Sequence, residues 1–183
     1  MQSSSLIRLQ SKRIFLVPLP LTYLELLRTN RQLMEEALGL IPSGLMLEAE
    51  IEVEVEEAIQ FWLVNVKEHP ESWCWYTNWE IIHRTDNRSI GGIGLAGKPD
   101  INGMVEVGYG LDQRFRNQGY MTEALGLFLK WIFIHPQAYG VRAQTPKNNR
   151  SSQVVLEKNG FSSHESSTEL LIWELLRNQY EKR

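Results

Sequence analysis

The first ordered pattern along the chain lies at Lys12–Leu19, a stretch rich in Ile, Phe and Val that ends at Pro18 and Pro20 and predicts a β-strand. The period then changes. Leu21, Leu24 and the Leu26/Leu27 pair fall on one side of a helix over Leu21–Thr29, and a second helical stretch runs on from Arg31 towards Leu40 until Gly39 interrupts it. Ile41–Gly44 (IPSG) reads as a turn. Two periods compete from Glu48 onwards. EIEVEVE alternates as a half-buried strand would, but Leu47, Ile51, Val55, Ile59, Trp62 and Val66 recur every three to four residues over a longer window. The longer period predicts a helix to about Lys67, with Glu48, Glu50, Glu52, Glu54, Glu56 and Glu57 forming a solvated face.

The segment SWCWYTNWEIIHR predicts a strand with Trp73, Trp75 and Trp79 on one face, opposite Cys74, Tyr76 and Glu80. Its indoles either fill a sheet core or place one ring in a ligand pocket against a cationic group. Thr85–Asn87 is a hairpin turn, Ser89–Ala96 the returning strand, Pro99–Gly103 a second turn and Val105–Leu111 the third strand of a meander. Three glycines in SIGGIGLA point to a bulge or a close backbone approach. Arg116, Asn117, Gln118 and Gly119 then form a polar loop. An amphipathic helix follows to Phe133, with Leu125, Leu127, Phe128, Leu129, Trp131 and Ile132 on its buried stripe. His135-Pro136 breaks the chain and Tyr139–Gln144 reads as a strand. Asn149–Asn159 reads as a helix with Val154, Val155 and Leu156 inward. Phe161–Glu165 and Thr168–Trp173 form a last hairpin, and RNQYEKR a frayed helical end.

Composition narrows the class. The 183 residues, 43% hydrophobic and 22% charged, suit a single soluble α/β domain over residues 1–183, since no linker, repeat or low-complexity tract divides them. A net charge of −3 without a basic stripe gives no attraction to nucleic acid or to an acidic membrane surface. The one cysteine, Cys74, cannot form an internal disulfide, MQSSSLIRLQ lacks the apolar core of a signal peptide, and LGLFLKWIFI is too short to span a bilayer. A cytoplasmic location is expected. One cysteine and four histidines without ligand spacing predict no metal site.

The stretch from Gly108 to Phe133 carries the chemistry. A strand running into a glycine-bearing loop and then a helix start presents unpaired N–H groups to an anion, and a phosphate-bearing ligand is the natural guest. Walker-type and dinucleotide-binding glycine motifs are absent, which disfavours a nucleotide-binding fold of another kind. Arg116-Asn117-Gln118-Gly119-Tyr120-Met121 resembles the Q/R-x-x-G-x-G/A acyl-CoA signature of the GNAT N-acetyltransferase superfamily. Within it, GYGLDQRFRNQGYMTEAL is similar to the branch that holds the ribosomal-protein N-terminal acetyltransferases. A second block some thirty residues on, Asn149-Arg150-Ser151-Ser152 followed by VVLEKNGF, resembles that branch's N-x-x-S…LEK-x-GF segment, and SKRIFLVPL matches its first strand. Met121 departs from the Gly or Ala preferred at its position.

The resemblance implies a mixed α/β GNAT fold: a twisted, mostly antiparallel sheet with helices on both faces and two central strands splayed apart. It implies transfer of an acetyl group from acetyl-CoA to a primary amine, either a small molecule or a protein N-terminus, with no metal. Gly110 and Leu111 would offer main-chain contacts to pantetheine, the N–H groups of Gln118, Gly119, Tyr120, Met121 and Thr122 would hold the pyrophosphate, and Arg116, beside Asn117, would pair with phosphate. A backbone N–H of the Val107–Leu111 strand would stabilise the oxyanion. Glu106 is the first candidate for general base, with His83 and Glu80 behind it, and each also reads as an ordinary surface or sheet residue. Ser152 would serve the departing thiolate, and it also reads as a first-turn serine capped by Asn149. Cys74, between two tryptophans, reads as an inert core thiol. The glutamates of the long helix read as a solvated face or as an acidic rim that draws the cationic amine. The rival function is an acyl-CoA-binding module of the same fold that has lost transfer, and a homodimer through the last hairpin or the tryptophan strand is compatible with either.

Overall fold

A computed structural model describes residues 7–165 and 169–183. Eight strands form one sheet: β1 (Leu9–Gln10), β2 (Ile14–Pro18), β3 (Asn78–His83), β4 (Arg88–Leu95), β5 (Met104–Leu111), β6 (Gly140–Pro146), β7 (Ser162–Glu165) and β8 (Leu170–Leu176). Their spatial order is β1-β2-β3-β4-β5-β6-β8-β7, and every neighbouring pair is antiparallel except β5–β6. That one parallel pair is also the shortest contact between long strands. It runs only from Met104 opposite Gly140 to Glu106 opposite Arg142, after which the two strands part.

The sheet separates two layers of helix. Strand alternation sends Ile14, Leu16, Trp79, Ile81, Ile93, Val105 and Val107 into the main core, which α4 (Tyr120–Phe133) covers with Ala124, Leu125, Phe128, Leu129 and Ile132. The helix α5 (Arg150–Lys158) adds Leu156 to that core. Three further helices, α1 (Leu21–Thr29), α2 (Arg31–Ala37) and α3 (Ala49–Glu68), form a second core around Leu24, Leu27, Met34, Ile59, Trp62 and Leu63. Burial of these side chains supplies the stability, at about 1.5–3 kcal/mol per fully buried large aliphatic side chain. The 20-residue α3 confirms the longer of its two competing periods. A short α6 (Arg177–Tyr180) closes the chain. No helix among the described residues is long and apolar enough to cross a membrane.

One expectation fails here. Trp73 and Trp75 do not share a strand with Trp79: they lie on a 3-10 segment, Pro70–Trp75, and the strand begins only at Asn78. Pro70 opens that segment, and the chain turns so that the Trp79 Nε1–H donates to the Cys74 carbonyl at 2.9 Å. Trp75 and Trp79 meet Trp131, and Trp79 meets Phe128, so two of the three indoles fill the core and none lines a ligand cavity. Two smaller expectations also shift. Val154 and Val155 are half-buried while Gln153 and Leu156 point inward, and β8 runs three residues past Trp173, its expected start at Thr168 lying outside the described residues.

The glycines of β4 produce both features expected of them. The β3–β4 register slips between Ile81 and Ile82, where Ile81 faces Gly91 and Ile82 faces Ser89. A Cβ on Gly91 would stand 2.3 Å from the Gly110 carbonyl oxygen, so β4 and β5 approach as closely as they do only because that residue is glycine.

Candidate active site

Where β5 leaves β6, its far edge loses its strand partner. Residues Val107–Leu111 still pair with β4 on one side, but from Val107 onwards nothing pairs with β5 on the other. Main-chain groups on that edge are free to receive an extended ligand as an added strand would. Two cavities open there, one on each side of β5.

The first, of about 440 Å³, is bounded by Tyr109, Gly110 and Leu111 of β5, by the loop Arg116–Gly119 with the start of α4, and by Asn149–Ser152 at the start of α5. It gathers every sequence-predicted ligand-binding residue except Gln118, whose side chain turns back to the Arg114 carbonyl at 2.9 Å. The loop bends through two left-handed residues, Asn117 (φ +59°) and Gly119 (φ +81°). Gly119 immediately precedes α4, and a Cβ there would come no nearer than 3.5 Å to any atom, the Arg13 guanidinium; the glycine is required by its backbone angle and leaves open space for a ligand. No side chain caps the helix, so its first N–H groups face the cavity mouth. Met121 turns into the main core. The Tyr120 ring is also buried, its hydroxyl 3.1 Å from His83 Nε2, so only its main chain is available to a ligand. Arg116 does not stand free: its guanidinium pairs with Glu48, at the N-terminal end of α3, across the same cavity.

The second cavity, of about 390 Å³, lies between β4–β5 and α3. Its walls are largely apolar, from Leu45, Leu47, Ile51, Val55, Phe61 and Trp62, and its polar groups include Glu54, Glu57 and Glu106. Burial, and then the neighbouring Glu57, push the Glu54 carboxyl above the usual carboxylate range. Thus Glu48, Glu54 and Glu57 of the solvated face each border a cavity while remaining exposed, whereas Glu52 and Glu56 border neither. Arg31 is the only basic residue lining this cavity among those described. It is paired with the fully buried Glu80, which also receives hydrogen bonds from Ser89 and, at 2.6 Å, from Asn78 Nδ2. The loop before α3 is pinned from two sides. Glu35 accepts from the Ser43 N–H at 2.8 Å, and buried Asp112 accepts from the Met46 N–H at 3.0 Å and from Arg114. Burial alone would raise the Asp112 carboxyl, but the Arg114 side chain and the two backbone N–H groups outweigh it and hold it below the ordinary range.

The candidate catalytic groups separate clearly. Glu106 is exposed on the second cavity's rim, 3.3 Å from Gln144 Nε2. Neither His83 nor Glu80 lines either of these two cavities: His83 is turned to Tyr120, and Glu80 is tied up by Arg31, Asn78 and Ser89. Ser152 occupies the first turn of α5, its N–H capped by Asn149 Oδ1 at 3.1 Å, which leaves its hydroxyl free to point into the first cavity. There it meets the Tyr109 hydroxyl at 2.8 Å. Tyr109 was not among the sequence candidates; it stands in the GYGL strand beside the two residues that were. Cys74 is buried and its thiol is pushed up to about 11 by that burial, as an inert core cysteine should be. Both cavities are lined by Ile51, Tyr109 and Gly110, so they adjoin where β5 becomes free.

An open-edged strand, a left-handed glycine before a helix start and two adjoining cavities make the cleft that the resemblance of Arg116–Met121 leads one to expect. The sequence agrees: residues 13–162 match the model of the acetyltransferase (GNAT) domain, and the chain belongs to that family. It is 32% identical over 98 residues to the uncharacterized N-acetyltransferase YjdG of Bacillus subtilis; the match covers 54% of this chain and 58% of that protein, so the chain spans under two thirds of this curated relative. Among solved structures, a ribosomal-protein-S5-alanine acetyltransferase from Vibrio fischeri has the same fold at a TM-score of 0.66 and 13% identity, over 95% of this chain and 98% of that one. The ribosomal-protein α-N-acetyltransferase RimL in complex with coenzyme A superposes at 0.65 with 15% identity, over 93% and 98% of the two chains.

Proposed function

We propose that the protein transfers an acetyl group from acetyl-CoA to a primary amine within a ternary complex, and that one domain spanning residues 1–183 does so in the cytoplasm. The observation that carries this reading is the junction of the two cavities at Ile51, Tyr109 and Gly110. A donor in the first cavity and an acceptor in the second meet beside the unpaired edge of β5, which is what direct attack requires. Acetyl-CoA supplies the acetyl group as an activated thioester. The main chain of Gly110 and Leu111 aligns the pantetheine arm, the N–H groups from Gln118 to Thr122 hold the pyrophosphate, and Asn117 and Asn149 shape the two ends of that cradle. A β5 N–H supports the oxyanion. Glu106 removes the amine proton, directly or through water, and Ser152 offers its hydroxyl to the departing sulfur.

The acceptor cavity favours a compact amine with an apolar body. Its walls are aliphatic and aromatic, Glu54 and Glu57 attract the cationic form of the amine, and its one arginine is already neutralised by Glu80. A protein N-terminus is the second acceptor to test, because the branch that the GYGLDQRFRNQGYM segment resembles contains ribosomal-protein acetyltransferases, and two such enzymes share the fold.

The test is calorimetric titration with acetyl-CoA of the wild type, Gly119→Glu and Glu106→Gln, followed by turnover against small amines and N-terminal peptides. A carboxylate at position 119 faces the phosphates from a strained backbone angle, so binding should weaken by at least about tenfold. Glu106→Gln should bind normally and lose about 10²-fold in kcat. Binding by the wild type without turnover of any amine would favour the binding-module alternative; no binding at all would overturn the acetyltransferase reading.

A further inference from the structure

The Tyr109 and Ser152 hydroxyls lie within hydrogen-bonding distance, and either can be the donor. Tyr109 lies on β5, with its ring packed against the main core and its hydroxyl reaching α5, 2.8 Å from Ser152 Oγ and 3.3 Å from the Ser152 carbonyl oxygen. Both neighbours are oxygens of the same residue, and both can accept. A protonated tyrosine donates either to Ser152 Oγ, which turns the serine hydrogen elsewhere, or to the Ser152 carbonyl, which leaves the serine hydroxyl to donate to the tyrosine; the shorter contact, 2.8 Å against 3.3 Å, favours the first. Burial keeps it protonated: its hydroxyl is pushed up to about 12, with the Ser152 hydrogen bond only partly offsetting that. Once Tyr109 donates to Ser152 Oγ, the serine hydrogen cannot lie on that line and must turn elsewhere. The Ser152 N–H is already held by Asn149, which fixes the backbone from which the serine projects. The space left to its hydrogen is the first cavity, which both hydroxyl-bearing residues line.

We propose that Tyr109 is a positioning residue for the leaving group: its hydroxyl orients and polarises that of Ser152 so that the serine donates to the sulfur of coenzyme A as the thioester bond breaks. This rests on the reading that Ser152 serves the thiolate. In the step, the amine nitrogen forms the new C–N bond, the C–S bond breaks, and its electron pair stays on sulfur. The amine proton leaves through Glu106 to solvent. Tyr109 loses no proton. It acts through the chain Tyr109 O–H to Ser152 O–H to sulfur, in which each donated hydrogen bond strengthens the next. The other charged groups facing this cavity are Glu48 from α3, Arg116 from the loop, and Arg150 and Lys158 from α5. The thiol of coenzyme A gains charge as the pH rises, and desulfo-coenzyme A shares every other ionising group of the ligand, its phosphates included, so the difference between the two ligands isolates the thiol.

The test compares coenzyme A with desulfo-coenzyme A, which lacks the thiol, by calorimetry at about pH 6.5 and pH 9 in the wild type, Tyr109→Phe and Ser152→Ala. Turnover of the same three proteins is measured with the acceptor found above. The wild type should prefer coenzyme A over the desulfo analogue more strongly at the higher pH. Tyr109→Phe keeps the ring and should shrink that preference by about threefold to tenfold, leave desulfo-coenzyme A binding unchanged, and lower kcat by about tenfold with KM for acetyl-CoA within about twofold. A fourth protein that combines Tyr109→Phe with Ser152→Ala should lose little more than Ser152→Ala alone, because both act through one hydrogen bond. If Tyr109→Phe weakens both ligands equally at both pH values, the tyrosine only shapes the cleft and the proposal is overturned. If Ser152→Ala is impaired while Tyr109→Phe matches the wild type, the serine reading stands and the proposal falls. If neither variant differs from the wild type, both fall. Should Tyr109→Phe not fold, the wild-type pair of titrations still decides: a preference for the thiol that does not grow with pH overturns the proposal.

Discussion

Arg116, the candidate partner for a phosphate, lines the first cavity with its guanidinium engaged by Glu48. A phosphate arriving there must displace or share with a carboxylate, and it also meets that carboxylate's own negative charge. Glu48→Gln should therefore tighten acetyl-CoA binding by about twofold to fivefold at low ionic strength, the usual range for a partly exposed charge pair. The gain should fade at about 1 M salt, where such interactions are screened within roughly 3 Å. Calorimetry at two salt concentrations checks it; unchanged or weaker binding at low salt would mean that Glu48 does not compete with the ligand. Gly119 makes the contrasting case. Its left-handed backbone before α4 was legible in the sequence because such a turn is a local requirement, written in a few consecutive residues.

Among the elements, legibility followed the range of the interactions. The helix α3 could be read because its apolar residues recur over five turns, long enough for one period to defeat the alternation of EIEVEVE. The strand expected at Trp73–Trp79 failed because a run of aromatics satisfies both a strand face and a compact 3-10 turn, and Pro70 decided between them. The site shows the same division. The glycine-bearing loop before α4 was visible, whereas the Tyr109–Ser152 contact joins residues 43 positions apart, across the gap where β5 and β6 separate. No local pattern encodes a splay. The places of Glu48, Glu54 and Glu57 beside the cavities were hidden likewise, since a glutamate bordering a cavity and one facing open solvent have the same helical spacing. The start of α5 links element to chemistry. Asn149 Oδ1 accepts from both the Ser152 N–H and the Ser151 hydroxyl, at 2.9 Å for the latter. Asn149→Ala should cost about 1 kcal/mol and lower Tm by about 2–4 °C. By releasing the turn that aims Ser152, it should also lower kcat more than a substitution of equal Tm cost on the far side of α5. Paired melting and turnover measurements separate the two effects; a kcat loss no larger than that of the control would mean that the cap does not aim the serine.

For the whole molecule, the question is how a sheet opened at its centre stays rigid on both sides of the opening. Part of the answer is a tie between the N-terminal strands and α4 with the loop Arg116–Gly119 before it. Glu123, in the first turn of α4, accepts from the Ser11 hydroxyl and from Arg13 Nε at 2.6 Å, and Arg13 Nη1 donates on to the Gln118 carbonyl at 2.9 Å. Arg13 also lies over the Tyr120 ring, 4.3 Å from its centre. Burial alone would push the Glu123 carboxyl up, but the hydrogen bonds from Ser11 and Arg13 outweigh it and hold it below the ordinary range. A carboxylate depressed in the folded state stabilises it above the unfolded value, about 4.3 for a glutamate, and that contribution disappears as pH falls through the lower, folded value. Both members are partly exposed, at 39% and 21%, so solvent screening limits the tie to about 1 kcal/mol. Glu123→Gln should accordingly melt about 2–4 °C below the wild type at pH 7, and the gap should close as the pH drops below about 4. Acetyl-CoA affinity should weaken slightly over the same range, because Gln118 loses its anchor. Melting curves from neutral to acid pH decide the matter: a gap that persists undiminished into acid would show that the charge of Glu123 is not what joins the first strands to α4.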